Sequence, residues 1–247
     1  MTGPRADASV SVVVPAYNEA ARIGETLHRI AEHLERRRTP FEILVVDDGS
    51  TDGTAAAVEA HPAAGVRLLR QPANRGKGAA VRAGVLASRH DLVLVCDADL
   101  STPIAELDRL ATWIEDSAIV IASRQAPGAR VARSWLRRLA SQLFNAALRV
   151  LGLCRGIRDT QCGFKLLRGA EARSLFGQME VDGFAFDIEL LELARYRGLG
   201  VREVGVTWLD TGESSVSLVH HAPGMLRDAM ALRRRLRGLR RRDRAAR

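Results

Sequence analysis

The sequence predicts an α/β chain: a mostly parallel sheet flanked by helices, followed by a basic amphipathic C-terminal helix. Three observations carry this. Five short apolar runs alternate with segments of helical period over the first 124 residues, the pattern of a parallel sheet with right-handed crossovers. Those runs end in charged residues (Asp47-Asp48, Asp97-Ala98-Asp99, Arg124), at the sheet edge where open α/β folds bind ligands. The net charge of +8 is lodged in residues 233–247, which hold nine Arg and one Asp, so the other 232 residues balance to zero. A single domain over 9–218 and a basic helical tail over 223–247 are therefore expected.

Val10 to Val14 is an apolar strand ended by Pro15-Ala16-Tyr17-Asn18-Glu19. Proline withdraws a ladder donor, and Asn18 is placed to cap a helix with Ile23, Leu27, Ile30 and Leu34 as its apolar stripe. Tyr17 and Glu19 suit stacking on and bonding to a nucleoside, or simply a capped helix with an exposed Tyr. Ile43 to Val46 is a second buried strand, followed by Asp47-Asp48-Gly49-Ser50-Thr51-Asp52. Gly49 permits a tight turn, and Ser50 to Asp52 offer caps for a helix to His61. Val66 to Leu69 is a third strand. Asn74-Arg75-Gly76-Lys77-Gly78 then opens a helix carrying Ala79, Val81, Val85 and Leu86. Glycines and a lysine before a helix suit a phosphate, although the spacing is not that of a P-loop. Val93-Leu94-Val95-Cys96 is a fourth strand running straight into Asp97 and Asp99. Two acids one residue apart reach one point if the backbone leaves extended geometry there. A hard cation such as Mg²⁺ or Mn²⁺ takes such oxygens together with those of a phosphate. Two solvated acids are the plain alternative. A second strand ending in an Asp pair weighs against it, because carboxylates gathered at one edge repel and call for a cation or a donor-rich ligand. Pro103 starts the next helix, through Leu107, Leu110 and Ile114, and Ala118 to Ala122 is a fifth strand ending in Ser123-Arg124.

Composition narrows the class. There is no run of eighteen apolar residues, so no membrane-spanning helix is expected, and Met1 to Ser9 lacks the apolar centre of a signal peptide. Cys96, Cys154 and Cys162 are odd in number and lack metal-ligand spacing, which fits a reduced, cytoplasmic setting. The neutral body is not a nucleic-acid surface by composition, and no nucleic-acid partner is expected. Arg outnumbers Lys 35 to 2, which makes Lys77 and Lys165 conspicuous.

The motifs Pro15-Ala16-Tyr17-Asn18-Glu19, Val46 to Asp52, Asn74 to Gly78 and Asp97-Ala98-Asp99, in that order, resemble a family 2 glycosyltransferase of the GT-A (Rossmann-like) fold. Asp159-Thr160-Gln161-Cys162-Gly163-Phe164-Lys165 and Phe186-Asp187-Ile188-Glu189-Leu190 narrow this to the dolichyl-phosphate and polyprenyl-phosphate sugar synthases, with the dolichyl-phosphate glucosyltransferase branch nearest. The resemblance runs from about Val10 to Ser217. It implies a nucleotide-binding set of Pro15, Ala16, Tyr17, Glu19, Asp47, Asp48, Lys77, Asp97 and Ala98, with one of Asp47 or Asp48 on the nucleoside. It implies Mg²⁺ or Mn²⁺ at Asp97 and Asp99, and Arg124 and Arg138 on an acceptor phosphate. It places Asp159, Thr160 and Gln161 by the sugar, and makes Asp99, Asp159, Gln161 and Asp187 the catalytic set. Two departures stand out. Mannosyl synthases of this group carry Gln two residues after the Asp-x-Asp, where this chain has Ser101, which speaks against a third metal ligand and a mannosyl donor. Eukaryotic glucosyl synthases usually carry an N-terminal membrane helix, and no such run occurs in these 247 residues.

The second half adds a helix expected over Val131 to Leu153, with Leu136, Leu139, Leu143, Ala146 and Val150 on one stripe, Trp135 and Phe144 widening it, and Arg133, Arg137 and Arg138 at its start. Such a helix lies in a membrane interface or packs on the sheet. Arg suits a phosphate because guanidinium donates two parallel bonds to it. Gly163 to Leu167 reads as a strand, Ile188 to Tyr196 as a helix, and Val201 to Trp208 as a final strand. Asp187 and Glu189 face different sides of their helix, so at most one enters a site. Met225, Ala229, Leu232, Leu236 and Leu239 recur at 4-3-4-3 spacing among the arginines, reading as a helix at an anionic membrane surface or as a solubilising tail. The expected activity is an inverting transfer of a hexose from a nucleotide sugar, UDP-linked, to a polyprenyl or dolichyl phosphate. It would be carried out by a peripheral protein of the cytoplasmic membrane face that meets the membrane through 131–153 and 223–247. A hydroxyl acceptor on a glycan or lipid is the alternative, and a basic-tailed nucleic-acid-binding protein without chemistry is a third.

Overall fold

The computed structural model describes residues 8–131, 135–209 and 218–245. In chain order they form β1 (Val10–Ala16), α1 (Ile23–Arg37), β2 (Phe41–Asp47), α2 (Thr54–Glu59), β3 (Val66–Arg70), α3 (Lys77–Ala87), β4 (Leu92–Val95), α4 (Glu106–Ala111), β5 (Ile119–Ser123), β6 (Arg130–Val131), α5 (Trp135–Val150), β7 (Lys165–Arg168), α6 (Gly169–Phe176), α7 (Phe186–Tyr196), β8 (Val201–Gly205), β9 (Thr207–Trp208) and α8 (Leu218–Ala245). The main sheet runs β3-β2-β1-β4-β7-β5-β8. Strands β3, β2, β1 and β4 pair parallel; β7 is antiparallel to both β4 and β5, and β8 is parallel to β5.

Strands buried on both faces explain the continuous apolar runs. Along β1, Val12 and Val14 face a core with Ile23, Leu27, Ile30 and Leu34 of α1 and Leu107 and Leu110 of α4. Val13 faces the opposite core, built from Val81 and Val85 of α3, Phe144 and Leu148 of α5, and α6, α7 and α8. The period-2 alternation of a strand thus divides one sequence run between two helical layers.

The structure corrects three expectations. Asn18 does not cap α1: its φ is 55°, and its Oδ1 accepts from Thr51 N–H at 2.9 Å, tying the first two strand-end loops together. The final strand is two, because the chain turns out of the sheet at Val206 and β9 pairs with β6. The helix expected over 131–153 spans Trp135–Val150; Val131 belongs to β6, and Gly152, at φ 73°, closes its end with an N–H bond to Arg149 O. Of the two orientations left open for its leucine stripe, the structure shows the outward one. Ser141, Phe144, Asn145 and Leu148 point inward, while Leu139, Leu143 and Val150 of the expected stripe are 45%, 63% and 85% exposed. The inner face is legitimately polar, since Gln125 donates to Ser141 Oγ and Thr160 Oγ1 to Asn145 Oδ1. The side chains of Arg133, Trp135, Leu136, Arg137 and Arg138 lie outside the described residues.

Met225, Ala229, Leu232 and Leu236 of α8 are buried in the core they share with α5 and α7. Arg235 reaches back to the Glu189 carboxylate and the Gln178 carbonyl. The apolar stripe of the tail is thus turned to the protein at these four positions. Leu239 lies outside the described side chains. No helix among the described residues is long and apolar enough to cross a membrane.

Candidate active site

A cleft of about 530 Å³ opens at the carboxyl edge of β1, β2 and β4. Its floor comes from the end of β4. The strand stops at Val95, and the chain bends so that Leu100 N–H meets Asp97 O at 3.2 Å, with Leu100 at φ 44°. A left-handed leucine is strained and persists only where its surroundings impose it. The bend leaves Asp97, Ala98 and Asp99 all on the cleft wall. Asp97 Oδ1 lies 2.6 Å from Lys77 Nζ, at the start of α3. Burial by itself raises the Asp97 carboxyl, but the Lys77 ammonium and the charges of Lys165 and Arg124 together hold the group below its usual range. Asp99 forms no ion pair among the described residues; Ser101 N–H donates to its Oδ1 at 2.9 Å, and burial followed by the Asp97 charge pushes its carboxyl up. Backbone packs directly on Asp97 from the far side, where a Cβ on Gly163 would overlap the carboxylate.

The first two loops make the adjoining wall. Pro15, Ala16, Tyr17 and Glu19 line the cleft, with Tyr17 45% exposed. Glu19 pairs with Arg22 at 2.8 Å, and burial raises its carboxyl despite that partner. Asp48 also lines the cleft, and it holds the next loop: its two oxygens accept from Arg75 N–H at 2.8 Å and Gly76 N–H at 2.9 Å. Asp47 is outside the cleft lining, with Oδ1 accepting from Ser50 N–H at 2.9 Å within its own turn. Of the two acids left open by sequence, the structure brings only Asp48 to the cleft.

The opposite wall comes from β5 and the segment before β7. Arg124 lines the cleft and grips Asp159 with two bonds, Nε to Oδ2 at 2.7 Å and Nη2 to Oδ1 at 2.8 Å; the Trp208 ring lies 5.8 Å from its guanidinium carbon. Burial would raise Asp159, but Arg124 holds it below the carboxylate range, and the same pairing raises Arg124. Asp159 is fully buried and does not line the cleft; it aims Arg124. Thr160 sits behind the wall, bonded to α5. Gln161 lines the cleft, and its buried Nε2 has no hydrogen-bond partner among the described residues, a donor left for a ligand. Asp187, in the first turn of α7, closes the floor 2.7 Å from Lys165 Nζ, which also donates to Cys162 O. Burial raises Asp187, with Lys165 opposing. Glu189 turns away from the cleft to bond the backbone at Glu180 and Val181. Arg138 lies in α5 with its side chain outside the described residues.

Reading the sequence left Lys165, Phe184, Trp208 and Met225 without a site role, and the structure puts the last three on the cleft wall. Lys165 had a signal. The chain uses Arg almost everywhere, yet both of its lysines pair with carboxylates at the cleft floor.

With this geometry in view, similarity to known proteins is informative. A model of glycosyl transferase family 2 matches residues 11–173. The chain is 43% identical over 237 residues to a dolichyl-phosphate beta-glucosyltransferase of Trichomonas vaginalis, covering 89% of this chain and 68% of that protein. It is 36% identical to the dolichyl-phosphate beta-glucosyltransferase of Homo sapiens, covering 81% and 67%. Among solved structures, mannosyl-3-phosphoglycerate synthase from Rubrobacter xylanophilus superposes with a TM-score of 0.68 at 25% identity, covering 95% of this chain and 75% of that one. Glucosyl-3-phosphoglycerate synthase from Mycobacterium tuberculosis, solved with Mn²⁺, UDP and phosphoglyceric acid, gives 0.65 at 22%, covering 91% and 77%, a likeness of fold.

The chain belongs to glycosyl transferase family 2, in the dolichyl-phosphate beta-glucosyltransferase group, and has the GT-A fold.

Proposed function

We propose that this glycosyltransferase moves a glucosyl residue from a nucleotide sugar, UDP-linked, to a dolichyl or polyprenyl phosphate, inverting the anomeric carbon, as a peripheral protein of the cytoplasmic membrane face. The group's name supports the sugar and the lipid phosphate, and the family resemblance supports the uridine. The observation that carries the chemistry is one cleft holding Asp97, Asp99 and Lys77 opposite Arg124 and the unpartnered Gln161 amide.

The residues fit a divalent cation. Asp97 and Asp99 offer hard oxygens at one strand end, and burial, followed by the Asp97 charge, raises the Asp99 carboxyl, a cost that a cation there would offset. No cluster of three or more His, Cys, Asp or Glu suited to a metal occurs among the described residues, so diphosphate or water oxygens would complete the shell. Mg²⁺ or Mn²⁺ bound there supplies charge neutralisation for the departing diphosphate. Pro15, Ala16, Tyr17, Glu19, Asp48 and Ala98 hold the nucleoside end of the donor, with Lys77 near its phosphates. Gln161 donates to the sugar or its phosphate. Arg124, kept in place by Asp159, holds the acceptor phosphate. An acceptor oxygen forms the new bond to the anomeric carbon, and the donor's glycosidic oxygen leaves with its electron pair on the nucleoside diphosphate. A phosphate monoester has a second pKa near about 6 and needs no base to become a nucleophile. Asp187, engaged by Lys165, then shapes the floor rather than taking a proton.

The apolar outer face of α5 supports a lipid acceptor. Leu139, Leu143 and Val150 are exposed on a helix whose inner face bonds Gln125 and Thr160 beside the cleft. In α8 the apolar stripe is spent on the core, so its arginines are what remains for an anionic surface. The acceptor class is tested by offering polyprenyl phosphate and the matching polyprenol with one donor. Transfer to the phosphate alone is expected; transfer to the alcohol, with Asp187→Asn abolishing the acidic limb of the pH profile, would point to a hydroxyl acceptor.

A further inference from the structure

A second cavity, of about 230 Å³, lies where the ends of α5 and α7 meet α8, and it shares no lining residue with the transfer cleft. Arg155, Arg195, Arg233 and Arg237 line it, with Leu151 and Leu236 as apolar wall. Its carboxylate, Glu192, is already committed: Oε1 accepts from Cys154 N–H at 2.7 Å, and Oε2 pairs with Arg195 at 2.6 Å. Arg155, Arg233 and Arg237 have no ion-pair partner among the described residues. The loop that presents Arg155 is held in a costly shape, with Cys154 at φ 48° between Gly152 at φ 73° and Gly156 at φ 85°. A left-handed cysteine is a strained choice, and the buried Glu192 bond maintains it.

Three uncompensated guanidinium groups around one concavity repel one another in the absence of an anion. The guanidinium fork matches tetrahedral phosphate oxygens with two parallel bonds. We infer that this cavity is a second anion site, for a phosphate-bearing group. Phosphate chemistry of this kind comes either from the headgroup of an anionic phospholipid or from a free phosphate compound. Val150, the most exposed apolar residue of α5 among the described side chains, immediately precedes Leu151 of the cavity wall, which places the headgroup source beside an apolar surface. The site does not depend on the transfer reaction proposed above.

The experiment uses the full chain, the double variant Arg155→Gln/Arg237→Gln, and the control Arg29→Gln/Arg36→Gln on α1, which removes the same charge without touching the cavity or α8. Inorganic phosphate is titrated calorimetrically, and mixed phosphatidylglycerol–phosphatidylcholine vesicles are co-sedimented. The cavity variant is expected to lose about tenfold in affinity for at least one probe while the control stays close to wild type. Loss with phosphate identifies a soluble ligand; loss confined to vesicles identifies a headgroup. Arg155→Lys, which keeps the charge but not the fork, is expected to fall between. Equal losses in the cavity variant and the control, or no binding of either probe by the wild type, would overturn the site.

Discussion

Asp159 is where the chemistry of single residues is most exposed to test. Its carboxylate is fully buried and its neutralisation comes from Arg124. Removing one partner of a buried pair strands the other, so Asp159→Asn is expected to cost about 3–5 kcal/mol by denaturant unfolding at neutral pH. The pH dependence follows from the lowered carboxyl. A group held below its unfolded value of 3.8 contributes stability that is fully present above that pH and is lost as pH falls through the folded value. The gap between wild type and Asp159→Asn should therefore narrow in melts run below about pH 3.8; a gap constant from pH 6 to 3 would refute the pairing. Gly163→Ala addresses the floor: its Cβ would overlap the Asp97 carboxylate. Turnover should fall about 10²-fold or more while the melting temperature moves little, and wild-type turnover would show that Asp97 has room to shift. At this scale Asp97 and Asp99 were legible because a strand end fixes where its next residues lie, and Lys77 because it opens a helix straight after Gly76. The choice between Asp47 and Asp48 was not. It depends on which carboxylate meets the Arg75 and Gly76 amides, a contact 27 residues away along the chain.

Among the elements, α5 carries the clearest contrast. Leu148 is buried and Leu143, five residues earlier, is 63% exposed. Leu148→Ala should cost about 2–5 kcal/mol, whereas Leu143→Asp should leave the unfolding midpoint within about 0.5 kcal/mol of wild type. The same Leu143→Asp is expected to weaken sedimentation with vesicles and transfer to a lipid acceptor. Undiminished vesicle binding would remove α5 from the membrane surface. Periodicity located this helix but left open whether its leucine stripe meets the sheet or a membrane interface, and the structure leaves Leu139, Leu143 and Val150 exposed. A stripe of leucines normally points to the core, yet here the inner stripe contains Ser141 and Asn145, whose partners Gln125 and Thr160 come from other segments. Hydrophobic period cannot register a polar contact that tertiary structure satisfies. Strands β1, β2 and β4 were readable for the opposite reason: each is buried on both faces, and the run of Val, Ile and Leu says so directly.

For the molecule as a whole, the insertion of β7 between β4 and β5 was not readable, since an antiparallel strand from 70 residues downstream leaves no local mark. Nor was the docking of α8, whose 4-3-4-3 spacing is the same whether it meets a bilayer or a protein. Leu232 of that helix is buried, so Leu232→Ala should destabilise the entire fold by about 2–5 kcal/mol. A tail independent of the body would leave the melt unchanged. The helices behind the sheet hold its carboxyl edge together, and that edge brings Asp97, Asp99, Lys77, Arg124 and Gln161 into one cleft. The central claim is that this cleft transfers a sugar from a nucleotide donor to a lipid phosphate. The most direct measurement incubates the full chain with Mg²⁺ or Mn²⁺, a panel of nucleotide sugars and a short-chain polyprenyl phosphate, with Asp99→Asn in parallel. A glucosyl phospholipid made from UDP-glucose, reduced about 10²–10³-fold in the variant, is the predicted result. No turnover of any nucleotide sugar, or a variant as active as the wild type, would contradict the account.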